Sequence, residues 1–370
     1  MEKLVSHNLP DPKFWRGRQV LLTGHTGFKG SWLLLWLEAM GAEVTGCSLP
    51  PEQPSALFPL LHSQARLPRE TVDIRDAEAL SALVARAKPE IVFHLAAQSL
   101  VRRGYADPAG TFATNVSGTN NLLQALAKAG TARAIVITTT DKVYRNCGDG
   151  RPFRETDPLG GEDPYSASKA ACEMVATGWR PQFEAGGCGL ATARAGNVIG
   201  GGDWAEDRLL PDAIRAWSAG ATLEVRRPLA TRPWQHVLEP LRGYLVLAER
   251  LASRPDAGAD LAPAYNFGPR FDSATVRHVL TLAANHFGDA RTRYAESRAG
   301  PAEAHALALD PALAETDLGI SGLWDLEQTV ARTALWYSGL LNGRSARELC
   351  ETDCRAYLDA ARHATVECVA

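Results

Sequence analysis

Thr140, Asp141 and Lys142 close a short apolar run, Ala134–Thr138, and the segment Tyr165-Ser166-Ala167-Ser168-Lys169 follows downstream. A Tyr and a Lys four residues apart on a helix share one face, so the ammonium is placed to lower the phenol's pKa and make it a base near neutral pH. An acid and a second amine delivered beside that base by another strand suggest chemistry beyond simple hydride transfer. The spacing predicts an enzyme.

The elements that must position these groups alternate. Gln19–Thr23 reads as a buried strand, Gly30–Met40 as an apolar helix ended at Gly41, and Ala42–Gly46 as a second short strand. Further strands are predicted at Glu90–Ala96, Ala134–Thr138 and Leu190–Arg194, with helices near Asp76–Ala87, Thr111–Ala129 and Ser166–Trp179. Such alternation predicts an α/β fold, a Rossmann-type doubly wound parallel sheet. After Gly196 the pattern loosens into Gly, Pro, Trp and Arg clusters, as in Gly200-Gly201-Gly202-Asp203-Trp204 and Arg232-Pro233-Trp234. We expect a smaller, partly interleaved C-terminal substrate-binding lobe there, because irregular segments commonly carry binding loops. The expected division is a dinucleotide-binding domain over 1–196 with a returning segment near 234–268, a lobe over 197–233 and 269–345, and a helical tail over 346–370.

A glycine-rich turn, Thr23-Gly24-His25-Thr26-Gly27-Phe28-Lys29-Gly30, joins the first strand to the first helix. Glycines at every third position let the backbone turn tightly, approach a pyrophosphate and point helix-start N–H groups at it. Gly24, Thr26, Gly27, Phe28 and Gly30 are therefore candidate cofactor contacts. The acidic residue sought on the ribose at the end of the second strand is missing, since Gly46-Cys47-Ser48-Leu49 carries no carboxylate, and this leaves NAD and NADP both open. Asp73 and Ile74 are placed to contact an adenine ring, though Asp73 equally suits a solvated loop. Ala96 and Ala97, in His94-Leu95-Ala96-Ala97-Gln98, are small enough for close cofactor approach or for tight packing alone. Asn115 is expected to hold adjacent strands together rather than touch substrate.

Composition sets bounds. The chain has 370 residues, 22% charged, with a formal net charge of −3, which argues against broad nucleic-acid or anionic-membrane binding. The longest apolar run, Trp32–Met40, is interrupted by Glu38 and is too short to span a bilayer, and no signal-type core follows the N-terminus, so a cytoplasmic protein is expected. Seven cysteines lack paired C-x-x-C spacing and predict neither a disulfide framework nor a metal site.

The glycine fingerprint and the Tyr165/Lys169 pair, in this order, resemble the extended short-chain dehydrogenase/reductase superfamily over nearly the whole chain. Thr140-Asp141-Lys142, the stretch Ala193-Arg194-Ala195-Gly196-Asn197-Val198-Ile199-Gly200-Gly201-Gly202-Asp203-Trp204, and Arg232-Pro233-Trp234-Gln235-His236-Val237-Leu238-Glu239-Pro240 are similar to its CDP-glucose 4,6-dehydratase branch. Related dTDP-glucose dehydratases carry Asp-Glu where this chain has Asp141-Lys142, and many 4-epimerases lack the acidic pair. The resemblance implies NAD as cofactor and CDP-glucose as substrate. It implies Tyr165 as base at the sugar 4-hydroxyl, Lys169 holding the phenolate and the nicotinamide ribose, Thr140 on the 4-oxygen, and Asp141 as acid to the departing C6 hydroxyl. Lys142 stands where the dTDP enzymes have their glutamate base. An amine abstracts a proton only when neutral, and its neighbours pull in opposite directions, so its role stays open.

Asn197 and Arg232 are implied as contacts to the substrate pyrophosphate. Arg208, Arg270 and His305 are candidates for substrate binding or for surface salt bridges. The base preference rests on the resemblance. So does assembly: helices over Thr111–Ala129 and Ser166–Trp179 resemble a pair that forms a four-helix interface in this superfamily, which implies a homodimer or homotetramer. The alternatives are a nucleotide-sugar 4-epimerase, which needs no acid at C6, a dehydratase for another nucleoside-diphosphate sugar, and a non-catalytic dinucleotide-binding protein.

Overall fold

Short runs of apolar residues, buried almost end to end, build the centre of the protein. They are β1 (Gln19–Thr23), β2 (Glu43–Ser48), β3 (Arg69–Thr71), β4 (Ile91–His94), β5 (Ala134–Thr138), β6 (Gly189–Ala195) and β7 (Ala264–Phe267). In the computed structural model, which describes residues 8–62, 69–253, 261–269, 273–295 and 307–367, these strands form one sheet in the order β7-β6-β5-β4-β1-β2-β3. Every pairing in it is parallel. Parallel strands need helical crossovers that cover both faces, which is why β4, β5, β6 and β7 are buried along their whole length. Strand order reverses between β1 and β4. In a doubly wound sheet the crevice beyond the C-terminal strand ends at such a reversal is where ligands bind.

The crossover helices that matter for the site are α1 (Phe28–Ala39), α2 (Ala77–Ala87), α3 (Gly118–Ala129), α4 (Pro164–Ala185) and α5 (Leu238–Ala252). α1 is buried on nearly all sides, including Trp32 and Trp36, because it packs both on the sheet and beneath the second lobe. α4 begins where Asp163 accepts the Ser166 N–H at 3.0 Å and Pro164 takes the first turn, a start legible in the local sequence.

Two expectations are refined. The helix expected over Thr111–Ala129 is present and starts earlier, running without interruption from Pro108 through a wider π-turn over Ala113–Ser117 into α3. In the π-turn Asn115 sets its amide onto Gln98 and Ser168, and Gly118 lies where a Cβ would stand 2.5 Å from Ile74. The first helix starts two residues earlier than the expected Gly30, at Phe28, because Gly27 caps it.

The second lobe grows from loops after β6 and β7. A helix at Leu209–Ser218 precedes a parallel strand pair, Leu223–Val225 with Thr292–Tyr294, and an antiparallel pair joins Thr231–Arg232 to Ala274–Thr275. C-terminal helices Leu326–Leu341 and Ala346–Glu367 brace it. Trp336 fills the space that a side chain at Gly201 would need, Tyr337 donates to the Asp203 carbonyl, and the Tyr357 hydroxyl donates to Glu239 at 2.6 Å. Trp32 Nε1 donates to the Gly201 carbonyl at 2.9 Å, so the Gly200–Trp204 loop is held from both lobes. Among the described residues, no helix is long and apolar enough to cross a membrane.

Candidate active site

The strand ends at the reversal open into a continuous cleft of about 1370 Å³. That exceeds the ~300–1,000 Å³ typical for one small ligand and suits two ligands held side by side. One half is lined by the glycine turn, Asp73, Ile74, Ala96 and Ala97; the other by Asn197, Arg208, Arg232 and the loop Gly200–Trp204. Thr140, Asp141, Lys142, Tyr165 and Lys169 lie on the walls of the same cleft.

The glycine turn fits a dinucleotide. Gly24 adopts φ +76°, and a Cβ there would stand 2.7 Å from the Ala96 nitrogen; one on Gly30 would stand 2.1 Å from the Gly24 carbonyl oxygen. Gly27 caps α1 without a side-chain hydrogen bond, which leaves the first-turn N–H groups to a ligand anion. Gly46, on β2, has no side chain because the His25 ring occupies that space. At the end of β2 Ser48 and Thr26 share a hydroxyl–hydroxyl bond of 2.6 Å, and Thr26 also donates to the Leu49 carbonyl. These hydroxyls stand where the ribose carboxylate was sought. Asp73 is gripped by Arg75 at 2.6 and 2.9 Å, which holds its carboxyl below the usual range.

The Thr140–Asp141–Lys142 trio forms a single tight turn that begins as β5 ends. Thr140 Oγ1 donates to Asp141 Oδ1 at 2.9 Å, and Lys142 Nζ lies 3.7 Å from the same oxygen. Asp141 is 1% exposed, and its Oδ2 has no hydrogen-bond partner within the protein. A buried carboxyl oxygen without a partner is costly unless something else satisfies it, and here the cleft supplies that space.

Tyr165 and Lys169 project from one face of α4, as their spacing required. Their coupling differs from expectation. Burial pushes the Tyr165 phenol up to about 12, and the cation that opposes this most strongly is Arg208, followed by a hydrogen bond with Thr140. Lys169 instead donates to the Thr138 carbonyl at 3.0 Å, and burial lowers its ammonium. In the free protein the phenol is not a neutral-pH base. Positive charge brought by an oxidised nicotinamide would add to that of Arg208.

In the second half of the cleft, Asn197 Oδ1 and Arg208 Nε are both buried with no hydrogen-bond partner, while Arg232 is buried and donates to the Thr231 carbonyl at 2.8 Å. Arg270 and His305 lie outside the described residues. Trp234 donates to the Ala274 carbonyl at 3.0 Å, and Trp204 meets Tyr337 edge to face at 5.0 Å, so both indoles are packed into the lobe while lining the cleft.

Three features were missed by the sequence reading. Lys29 reaches the cleft from the first turn of α1, where burial, Arg208 and Lys169 lower its ammonium to about 8 against the pull of Asp141 and Asp203. A charged residue in the first turn of a helix whose next turns are apolar was a visible signal. Asp203 is buried in the same group, and burial raises its carboxyl. Glu173 and Arg194 form a buried ion pair of 2.8 Å behind the Thr140–Lys142 turn, joined by residues too far apart in sequence to suggest it.

Comparison with known proteins agrees with this geometry. The chain is 44% identical over 340 residues to the CDP-glucose 4,6-dehydratase of Salmonella typhimurium, a match that covers 90% of this chain and 94% of that protein. The dTDP-glucose 4,6-dehydratase of Streptomyces venezuelae, solved with NAD bound, superimposes with a TM-score of 0.71 at 27% identity over 86% of this chain and 96% of that one. The UDP-glucose 4-epimerase of Thermus thermophilus, solved as a complex with NAD, gives a TM-score of 0.70 at 26% identity over 86% and 99%. Residues 20–268, which run from β1 through β7 and carry the glycine turn, the Thr140–Lys142 turn and the Tyr165–Lys169 helix, match the NAD dependent epimerase/dehydratase family, and the chain belongs to that family.

Proposed function

We propose that this protein converts CDP-glucose to CDP-4-keto-6-deoxyglucose, a 4,6-dehydration within deoxysugar biosynthesis for surface glycans, with NAD as the resident cofactor. The observation that favours dehydration over epimerisation is Asp141, a buried carboxyl that lines the cleft with Tyr165 and Thr140 and has one oxygen without a hydrogen-bond partner in the protein. CDP as the carrier rests on the 44% identity to the Salmonella enzyme.

Bound NAD would accept the C4 hydride and return it to C6, so that none is consumed. The chain's own groups do the rest. Tyr165 takes the proton of the 4-hydroxyl, with Thr140 hydrogen-bonded to the same oxygen and Arg208 favouring the phenolate. The ketone so formed acidifies C5–H, Asp141 protonates the departing C6 hydroxyl, and Lys142, 3.7 Å from Asp141 Oδ1, is the candidate to receive the C5 proton in its neutral form. Gly24, Thr26, Gly27, Phe28, Gly30, Asp73, Ile74, Ala96, Ala97 and Lys169 would hold the dinucleotide. Asn197, Arg208 and Arg232 would hold the sugar nucleotide, since a guanidinium offers a fixed fork of donors to phosphate oxygens.

The expected domain division is retained as part of this proposal, the lobe after residue 196 carrying the substrate. Two copies would pair through α3 and α4, where Met174 is more than half exposed, in the cytoplasm. Light scattering at micromolar concentration tests this, and a monomeric mass contradicts it. The function is tested by incubating the protein with CDP-, dTDP-, UDP- and GDP-glucose and following products by mass spectrometry. Loss of water from CDP-glucose is the expected result; isomerisation without loss of water would replace the reading by a 4-epimerase.

A further inference from the structure

The catalytic turn is short, carries three reacting side chains, and must keep Asp141 aimed while the sugar passes from alcohol to ketone to enone. What holds it lies behind it. Thr139 Oγ1 donates to Glu173 Oε1 at 2.5 Å. Glu173 also accepts from Thr192 Oγ1 at 2.7 Å and from Arg194 Nε and Nη2 at 3.0 and 2.8 Å. Arg194 in turn gives Nη1 to the Tyr144 hydroxyl at 2.8 Å and to the Glu155 carbonyl at 3.0 Å. Tyr144 donates its own O–H to Asn266 Oδ1 on β7 at 2.6 Å and stacks on Phe153 with 4.9 Å between centroids. The ion pair thus grips both ends of one segment, Thr139 through the carboxylate and Tyr144 through the guanidinium, and Thr140, Asp141 and Lys142 lie between.

Both charged partners are almost fully buried, 4% exposed for Arg194 and 3% for Glu173. Such a pair costs desolvation energy, and a hydrophobic pair of similar volume often stabilises a fold at least as well. Its geometric specificity is what an apolar pair would not supply. By contrast, Tyr165 and Lys169 have a separate anchor: Asn115 Nδ2 donates to Ser168 Oγ at 2.8 Å, Ser168 Oγ donates to the Tyr165 carbonyl at 2.7 Å, and Asp163 caps the helix. Tyr165 therefore has an anchor of its own, whereas the segment that carries Asp141 and Lys142 depends on the Glu173–Arg194 pair, which α4 also helps to hold.

We infer that Thr139, Glu173 and Arg194 are positioning residues for Asp141 and Lys142, acting on the elimination half of the reaction through the Thr139–Glu173 hydrogen bond. The inference rests on the dehydratase reading above. Thr139→Val deletes that bond while Glu173 keeps its partners on Thr192 and Arg194, and Thr139→Ser restores it. Since a small misplacement of a catalytic group costs up to ~10²-fold, we expect kcat to fall at least about tenfold in the valine variant.

The test is rapid mixing of holoenzyme with CDP-glucose, following reduced-nicotinamide absorbance, with C5-deuterated substrate in parallel. In Thr139→Val, enzyme-bound NADH should accumulate and the C5 deuterium effect on kcat should grow, while KM and the melting temperature stay near the parental values. Thr139→Ser should return all three readouts toward the parent. Thr139→Ala, read the same way, replaces the valine variant if that one is insoluble. Parental kcat without NADH accumulation, or equal loss of oxidation and elimination, overturns the inference. Failure of the parent itself to dehydrate CDP-glucose would overturn the functional reading, and the two failures are told apart by the product of the unmutated enzyme.

Discussion

Thr140 Oγ1 donates to Asp141 Oδ1 at 2.9 Å and leaves Asp141 Oδ2 buried and unpartnered at the cleft. One oxygen of the carboxyl is thus used to orient it, and the other is left without a partner in the protein, as the proposed acid role requires. Asp141→Asn preserves size and the bond from Thr140 but has no carboxylic proton to give. Oxidation at C4 should survive while elimination slows by ~10²-fold or more, the usual scale for a lost general acid. Stopped-flow absorbance should show NADH held on the variant. Dehydration at the parental rate would demote Asp141 to a structural role.

Arg208 is the cation that most strongly opposes the burial of the Tyr165 phenol. Removing it raises the phenol further, so the pH at which the phenolate becomes available moves upward. In Arg208→Met the acid limb of the kcat/KM profile should shift to higher pH, whereas Arg208→Lys should recover part of the shift because the charge returns without the fork. An unchanged limb with a raised KM would confine Arg208 to substrate binding.

Gly30 packs where a Cβ would stand 2.1 Å from the backbone oxygen of Gly24, an atom that cannot move without opening the turn. Gly30→Ala should therefore abolish measurable NAD binding in calorimetry and lower stability by roughly 1–3 kcal/mol, the usual cost of overpacking. Retained affinity would show that the turn has more freedom than its geometry implies.

Asp353, on the last helix, is buried against the helix Leu326–Leu341, where desolvation raises its carboxyl to about 7 and Arg332, 3.7 Å away, offsets this only in part. Because the folded pKa lies above the unfolded value, the native state binds more protons between about pH 4 and 7, and stability falls as pH rises through that window. Asp353→Asn should flatten this slope and make the variant more stable than the parent above pH 7, by on the order of a few kcal/mol at most. Chemical denaturation across pH 5–8 would measure it; parallel slopes would contradict it.

Much of this protein is written in short-range pattern. The apolar runs of β1, β4, β5 and β6, the glycines that join β1 to α1, and the four-residue spacing of Tyr165 and Lys169 each follow from local sterics and helix period, so the sequence alone determined the doubly wound sheet and the pair at its edge. It also placed Thr140 and Asp141 at a strand end, because a polar cluster that closes a buried strand has little else to do. Charge and contact across the cleft were decided elsewhere. Lys29 and Arg208, nearly half the chain apart, meet Tyr165 and Asp141 only when α1 and the second lobe close on the sheet, and that meeting sets which cation opposes burial of the phenol. Thr139, Glu173, Arg194 and Asn266 join β5, α4, β6 and β7 into one buried network. No periodicity records such a network, since hydrogen-bond partners and burial depend on distances through space, and those exist only once the chain has folded.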